Sequence, residues 1–234
     1  MNKLEQLNLE FRSNINMPGN KEWLWPAEDM HCWSYFNQEE AEYFSNNQIQ
    51  GYHLPNDVLP LVKNKFLVIQ AGGNSGLYPF IYARHFDNVI TFEPDHRWFY
   101  CLTVNANLKN VFKFQCALGN DNIPVSMNCP ILKGTKNLGG LFTENNGNIP
   151  KIKIDSLGLS PTLIHLDIEG AEWEALLGAE NTIKNSKPLI VVEWDTITMN
   201  RFGWSSEKVY DMFLSLNYSV IKEWRRDKAF AYKG

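Results

Sequence analysis

No apolar run in this 234-residue chain approaches the ~20 residues that a bilayer-spanning helix needs; Leu189 to Val192 is typical of its longest. Membrane residence is therefore not expected. Met1 to Phe11 is polar and lacks the apolar core of a secretory signal, so a cytoplasmic location is expected. Lys and Arg are scattered apart from the pair Arg225-Arg226, and the formal net charge is −4. Nucleic-acid binders concentrate basic residues in a patch, so nucleic acid is not an expected partner. Cys32, Cys101, Cys116 and Cys129 include no C-x-x-C pair, which removes the spacing of a zinc knuckle or a thioredoxin-like site. They read as reduced and mostly buried thiols. Internal repeats and low-complexity tracts are absent too. What remains is an ordinary soluble composition, 44% hydrophobic and 21% charged, enough for one sizeable core with an N-terminal extension.

Residues 1–63 show no strand–helix alternation. They hold an aromatic-dense, acidic stretch from Trp23 to Phe44, a helix expected over Gln38 to Ser45, and a connector with one helical turn over Tyr52 to Leu61. Trp25, His31, Trp33 and Tyr35 would suit stacking on a sugar face or planar ring. That makes the extension a candidate substrate lid, although plain packing onto the domain explains the same residues.

From about residue 64 the pattern changes. Phe66 to Ile69 is an apolar run closed by Gly72-Gly73-Asn74-Ser75-Gly76, a buried strand feeding a tight turn. A helix over Leu77 to His85, a strand over Val89 to Phe92, a helix over His96 to Leu108 and a strand over Val111 to Cys116 follow. Such alternation implies βαβ units and a parallel sheet. Ala117 to Ile149 is rich in Asn and Gly and reads as hairpins or an irregular insert, with a short edge strand near Ile152. A strand over Thr162 to Leu166, a helix from about Ala171 to Lys184, a strand over Leu189 to Glu193 and a helix over Ser205 to Leu216 complete the alternation. Tyr218 to Trp224 and Ala229 to Tyr232 read as a closing antiparallel hairpin.

The glycine turn is not a dinucleotide fingerprint. That motif needs G-x-G-x-x-G, its second glycine admitting a pyrophosphate, whereas Asn74 follows Gly72 by two residues and Ser75 follows Gly73 by two. A G-x-x-x-G turn suits a ligand with an amino-acid end lying across it, and a nicotinamide dehydrogenase is disfavoured. Glu93 stands 21 residues after Gly72 at the next strand's carboxyl end, where a carboxylate can accept hydrogen bonds from both ribose hydroxyls. The competing reading makes the glycines a plain turn and Glu93 a helix cap.

Val68 to Tyr78, V-I-Q-A-G-G-N-S-G-L-Y, resembles V-I-D-V-G-A-N-x-G-x-Y of the FkbM methyltransferases, and Thr91 to Pro94 resembles their A-F-E-P. Asn105, Ala117-Leu118-Gly119 and Ile154 to Leu157 fall where that family has N, A-L-G and T-L-D-x-L. Leu166 to Ala179, L-D-I-E-G-A-E-W-E-A-L-L-G-A, is similar to its hallmark I-D-V-E-G-A-E-x-x-V-L-x-G-A. The resemblance spans about seven-tenths of the chain, Val68 to Tyr232. It implies a Rossmann-like class I methyltransferase fold, a seven-stranded, mostly parallel sheet with a C-terminal antiparallel hairpin, over residues 64–234. It also implies S-adenosylmethionine as cofactor, held by Gln70, Gly72, Asn74, Ser75, Gly76, Glu93, Pro94, Ala117 and Leu118. Gln70 departs from the family's Asp and would meet the cofactor's ammonium with a neutral hydrogen bond only. His165 stands where Lys is common.

Open α/β sheets bind ligands outside the carboxyl ends of their strands. Asp167, Glu169 and Glu193, with Asp195 nearby, fall there. Asp167 is the first candidate to bind or deprotonate a methyl acceptor, Glu169 the next, with Glu193 in the same catalytic group. The rival reading has Glu169, Glu172 and Glu174 offset the dipole of the following helix; it is favoured for Glu174 and balanced for Glu172. His165 is a candidate base or, more simply, a hydrogen-bonded core residue. Carboxylates can also hold Mg²⁺, but no spacing demands a metal and none is expected. The resemblance implies O-methylation of a sugar or glycan hydroxyl. N-methylation, a small-metabolite acceptor or a non-catalytic module retaining the fold are the alternatives.

Overall fold

The computed structural model describes residues 11–17, 21–29, 54–132 and 135–234. The hairpin β1 (Phe11–Met17) and β2 (Lys21–Pro26) comes first, then a short helix α1 (Leu54–Val58) with a 3₁₀ turn at Leu59–Leu61. The sheet begins with β3 (Leu67–Ala71), and all five of its residues are buried, as a strand covered on both faces should be. Helix α2 (Leu77–Tyr82), β4 (Asn88–Phe92), α3 (His96–Asn105) and β5 (Val111–Phe114) follow. The insert contains β6 (Ala117–Leu118), β7 (Val125–Asn128), β8 (Ile131–Leu132), β9 (Thr135–Lys136), β10 (Phe142–Asn145) and β11 (Lys151–Ile152). Then come β12 (Leu163–Leu166), α4 (Glu172–Leu177), α5 (Glu180–Ser186), β13 (Leu189–Glu193), α6 (Thr196–Arg201), α7 (Ser206–Ser215), β14 (Tyr218–Glu223) and β15 (Asp227–Tyr232).

Seven strands form one sheet in the order β14-β15-β13-β12-β3-β4-β5. The four inner pairings from β13 to β5 are parallel, and β15 returns antiparallel against β13 and β14. This is the mostly parallel, Rossmann-like sheet expected from the sequence. The chain runs outward from β3 to β4 and β5, then crosses back to β12 on β3's other side. The crevice where strand order reverses therefore opens between β3 and β12, which is where such sheets bind ligands. Two apolar layers cover the sheet. One joins Val68, Val89, Leu163 and Val191 to Phe80, Trp98 and Leu102; the other joins Ile69, Ile164 and Val192 to Trp173, Phe213 and Phe230. Phe213 stacks on Phe230 at 3.7 Å between ring centroids. No helix among the described residues is long and apolar enough to cross a membrane.

Several expected elements differ. The helix read over Ala171 to Lys184 is two, because Gly178 ends α4 and Asp155, from a distant 3₁₀ turn, caps α5. Its Oδ1 accepts from the Thr182 amide at 2.8 Å and its Oδ2 from the Asn181 amide at 3.1 Å. Helix α6 has no counterpart among the expected elements: T-I-T-M-N-R has weak helix propensity, and its signal is the Asp195 side chain accepting from the Ile197 amide at 2.8 Å. The β1–β2 hairpin is likewise absent from the expected elements, and its Trp23 and Trp25 are 1% exposed within the core. Trp25 is thus a packing residue and not a stacking platform at the mouth. His31, Trp33, Tyr35, Cys32 and the helix expected over Gln38 to Ser45 lie outside the described residues. Among the described cysteines, Cys101 and Cys116 are buried, Cys129 is half-buried, and all three are free.

Candidate active site

The turn after β3 is built from below. Gln70 is fully buried; its Nε2 donates to the Ala71 and Gly72 carbonyls at 3.0 and 2.9 Å, and its Oε1 accepts from the Thr91 hydroxyl at 2.5 Å. The amide nitrogen is spent on the turn and the oxygen on strand β4, and Gln70 does not line the cavity. Its expected contact with a cofactor ammonium is therefore corrected to support of the turn's carbonyls, a role in which Asp, lacking donors when ionised, would fail. Gly72 adopts φ +81°, and a Cβ there would stand 1.9 Å from the Asp167 carbonyl. The glycine is needed because the loops after β3 and β12 touch: the Asp167 amide donates to the Ala71 carbonyl at 3.1 Å.

Glu93 closes the turn from the side. Its Oε2 accepts from the Asn74 amide at 2.7 Å and its Oε1 from the Asp95 amide at 2.9 Å. A carboxylate has about four lone-pair sites, so each oxygen retains capacity for a ligand. Burial pushes this carboxyl up to about 7, partly offset by the two amide donors. Asp95, and not Glu93, caps α3, accepting from the Arg97 and Trp98 amides.

The loop after β12 carries the hallmark acids. Glu169 sits at φ +57° and Gly170 at φ +106°, a left-handed pair that ordinary side chains avoid. A Cβ at Gly170 would meet the Thr198 carbonyl at 2.3 Å. What holds the loop is Glu172, whose Oε1 accepts from the Ile168 amide at 2.7 Å and the Gly170 amide at 3.3 Å. Glu172 is 1% exposed, and burial raises its carboxyl to about 8. The two sequence readings of Glu172 give way to a third, a loop tie. Glu174 accepts from the Trp204 indole at 3.2 Å and stands off the cavity.

Asp167, Glu169 and Glu193 converge, with one carboxylate oxygen from each within 4.8 Å of the others. Such a set can bind a proton, an ammonium or a metal ion. Arg226 on the β14–β15 turn reaches Glu193 at 2.6 Å and Asp195 at 3.0 Å. Burial and mutual repulsion raise the Glu169 and Glu193 carboxyls; burial raises Asp167, and Arg226 pulls all three back. His165 is elsewhere. β12 ends at Leu166, so Asp167 does not continue its alternation, and His165 instead meets Tyr82 Oη through Nδ1 at 2.6 Å and stacks on Tyr78. Burial holds this imidazole neutral, down to about 3.

One cavity of about 790 Å³ joins these parts, toward the upper end of the ~300–1,000 Å³ usual for ligand sites. Gly72, Asn74, Ser75, Glu93, Pro94, Ala117, Leu118, Asp167, Glu169 and Glu193 all line it, and Gly76 and Gln70 do not. Sequence reasoning missed Leu54 and Asp57 of α1, Trp224 to Arg226 of the hairpin turn and Asp227 at the start of β15, which complete the wall. Trp224 donates its indole N–H to Asp57 Oδ2 at 3.1 Å, tying the two together. No local pattern marks either segment, since each reaches the cavity through the fold.

The buried carboxyls set a pH dependence. Glu93 and Asp227 are raised to about 7 and Glu172 to about 8, chiefly by burial, from ordinary values of 4.5 for Glu and 3.8 for Asp. Each binds its proton more tightly folded than unfolded, so stability falls as pH rises through that window. The lowered carboxyls Asp95, Asp121 and Asp155 act in the opposite sense, below their ordinary 3.8. The thermal midpoint of the ligand-free protein is expected to drop between about pH 5 and about pH 8, less so in Glu172→Gln, which keeps an acceptor oxygen. A midpoint that rises over this range would contradict the burial of these groups.

Residues 70–220 match the methyltransferase FkbM domain. No curated protein matches the chain. A methyltransferase FkbM from Methylobacillus flagellatus KT is 19% identical at TM-score 0.47, over 73% of this chain and 44% of that one, so the chain spans less than half of that protein. The magnesium protoporphyrin IX methyltransferase of Synechocystis PCC 6803 with bound SAM is 9% identical at TM-score 0.50, over 88% and 93% of the two chains. The ribosomal protein L11 methylase of Lactobacillus delbrueckii subsp. bulgaricus is 10% identical at TM-score 0.50, over 78% and 80%. The latter two share the fold described above. The family match covers well over half of the sequence, and the chain belongs to the FkbM methyltransferase family.

Proposed function

We propose that the protein is an S-adenosylmethionine-dependent methyltransferase that O-methylates a hydroxyl of a sugar or glycan. The observation that carries this reading is the placement of Glu93 and Asp167 after the two strands flanking β3, on the walls of one cavity. The residues fit the cofactor: Glu93 offers open acceptor sites to ribose hydroxyls, and the turn beside it is free of bulk. When bound, S-adenosylmethionine supplies an electrophilic methyl group on a positively charged sulfur. Asp167 orients the acceptor hydroxyl and takes its proton as the new O–C bond forms. Burial raises this carboxyl above the ordinary Asp value, which makes it a stronger proton acceptor when ionised. Glu169 and Glu193 share the proton load, and Arg226 keeps the cluster from excess negative charge. Positioning of the two reactants in one cavity accounts for most of the acceleration, on the order of 7–11 kcal/mol.

The experiment is calorimetry with S-adenosylhomocysteine and with NAD, followed by labelled methyl transfer to matched panels of saccharides and amines. Binding of S-adenosylhomocysteine but not NAD, with label on saccharide oxygen, is expected. Tight NAD binding would remove the cofactor reading, and label on amines alone would replace O- with N-methylation.

A further inference from the structure

The side chain of Asn105, the last residue of α3, is fully buried between two segments that are far apart in sequence. Its Oδ1 accepts from the Leu24 amide at 2.8 Å, and its Nδ2 donates to the Leu24 carbonyl and the Ser75 carbonyl, both at 2.7 Å. It reads the edge of β2 as a neighbouring strand would, with one donor and one acceptor, and spends its remaining donor on the glycine turn. The Ser75 amide, by contrast, stays within the turn, donating to the adjacent Asn74 side chain at 2.6 Å. β2 is itself anchored, with Trp23 edge-on to Phe80 at 5.2 Å and both Trp23 and Trp25 within the core layer over α2 and α3. None of Trp23, Leu24, Trp25 and Asn105 lines the cavity.

We propose that Asn105 is a positioning residue that clamps the glycine turn Gly72–Gly76 to the N-terminal hairpin, so that docking of β2 sets the geometry of the cofactor-binding turn. Glu93 holds the turn at the Asn74 amide and Asn105 holds it at the Ser75 carbonyl, so the turn is gripped at successive residues from two sides. The hairpin then belongs to the binding machinery without touching a ligand. The coupling is reciprocal: a ligand that orders the turn must also favour the docked hairpin. The proposal rests on the methyltransferase reading for what the turn binds, and not for the clamp itself.

The full-length protein and the variants Asn105→Ala and Trp23→Ala are followed by hydrogen exchange, first without ligand. Exchange at the Asn74, Ser75 and Gly76 amides is expected to speed up roughly tenfold in both variants, the scale of a buried hydrogen bond left unmade, with β13 amides unchanged. Affinity for S-adenosylhomocysteine is expected to fall by about the same factor, and the double variant to lose no more than the worse single, as coupled sites do. In the unaltered protein, saturation with S-adenosylhomocysteine is expected to slow exchange at Leu24, which decides the matter should a variant not fold. The proposal is overturned if turn and β13 amides speed up together, if the turn is unaffected, or if a saturating ligand leaves Leu24 unchanged. Failure of S-adenosylhomocysteine to bind the unaltered protein would remove the cofactor reading, while the ligand-free exchange would still decide the clamp.

Discussion

Glu93→Ala is expected to weaken S-adenosylhomocysteine binding by roughly 10²-fold or more, because hydrogen bonds to a charged group are worth ~1.5–3 kcal/mol each and two are at stake. The variant also frees the Asn74 and Asp95 amides that the carboxylate holds, so part of the loss comes through the turn. Glu93→Gln separates the two contributions. It can still accept one backbone bond, but it has no charge and no titration. With the carboxyl at about 7, the native protein should bind more weakly near pH 6 than near pH 8, by up to about tenfold per pH unit. The Gln variant should show no such slope. Calorimetry at several pH values reads both effects. Native affinity in Glu93→Ala would remove Glu93 from the cofactor site.

Asp167→Asn is expected to lower single-turnover methyl transfer by about 10²-fold or more, within the usual range for a general base, with little change in cofactor affinity. Asn keeps the shape and the hydrogen-bonding capacity. It also relieves the crowding of like charge with Glu169 and Glu193, so the thermal midpoint should hold or rise. If Asp167 served only the dipole of α4, the same change would cost under about 1 kcal/mol of stability and spare turnover. Unfolding and transfer are measured on one preparation, and a variant that melts earlier yet transfers methyl at the native rate refutes the base. Glu174→Gln is the control: its oxygen can still accept from the Trp204 indole, and neither quantity should move.

Much of the framework was legible in the sequence. Val68 to Tyr78 and Leu166 to Ala179 announce strand, turn and helix because a buried parallel strand must be continuously apolar and its turn must admit left-handed residues. The convergence of Asp167, Glu169 and Glu193 was equally legible, since adjacent parallel strands end side by side. The short elements were not. α6 is too weak in propensity to stand out, and α5 depends on Asp155, 25 residues before its first residue, Glu180.

The sequence alone determined the sheet, the strand ends and the acid-rich mouth, because hydrophobic periodicity and glycine turns are local properties written in consecutive residues. Tertiary structure decided what each polar group does. Gln70, Glu172 and Asn105 stand in the motifs beside true cavity residues, yet each turns its side chain onto backbone amides or carbonyls. A buried polar atom must take whatever partner the fold brings within 3 Å or so, and Leu24, 81 residues from Asn105, is a partner that no local pattern can name.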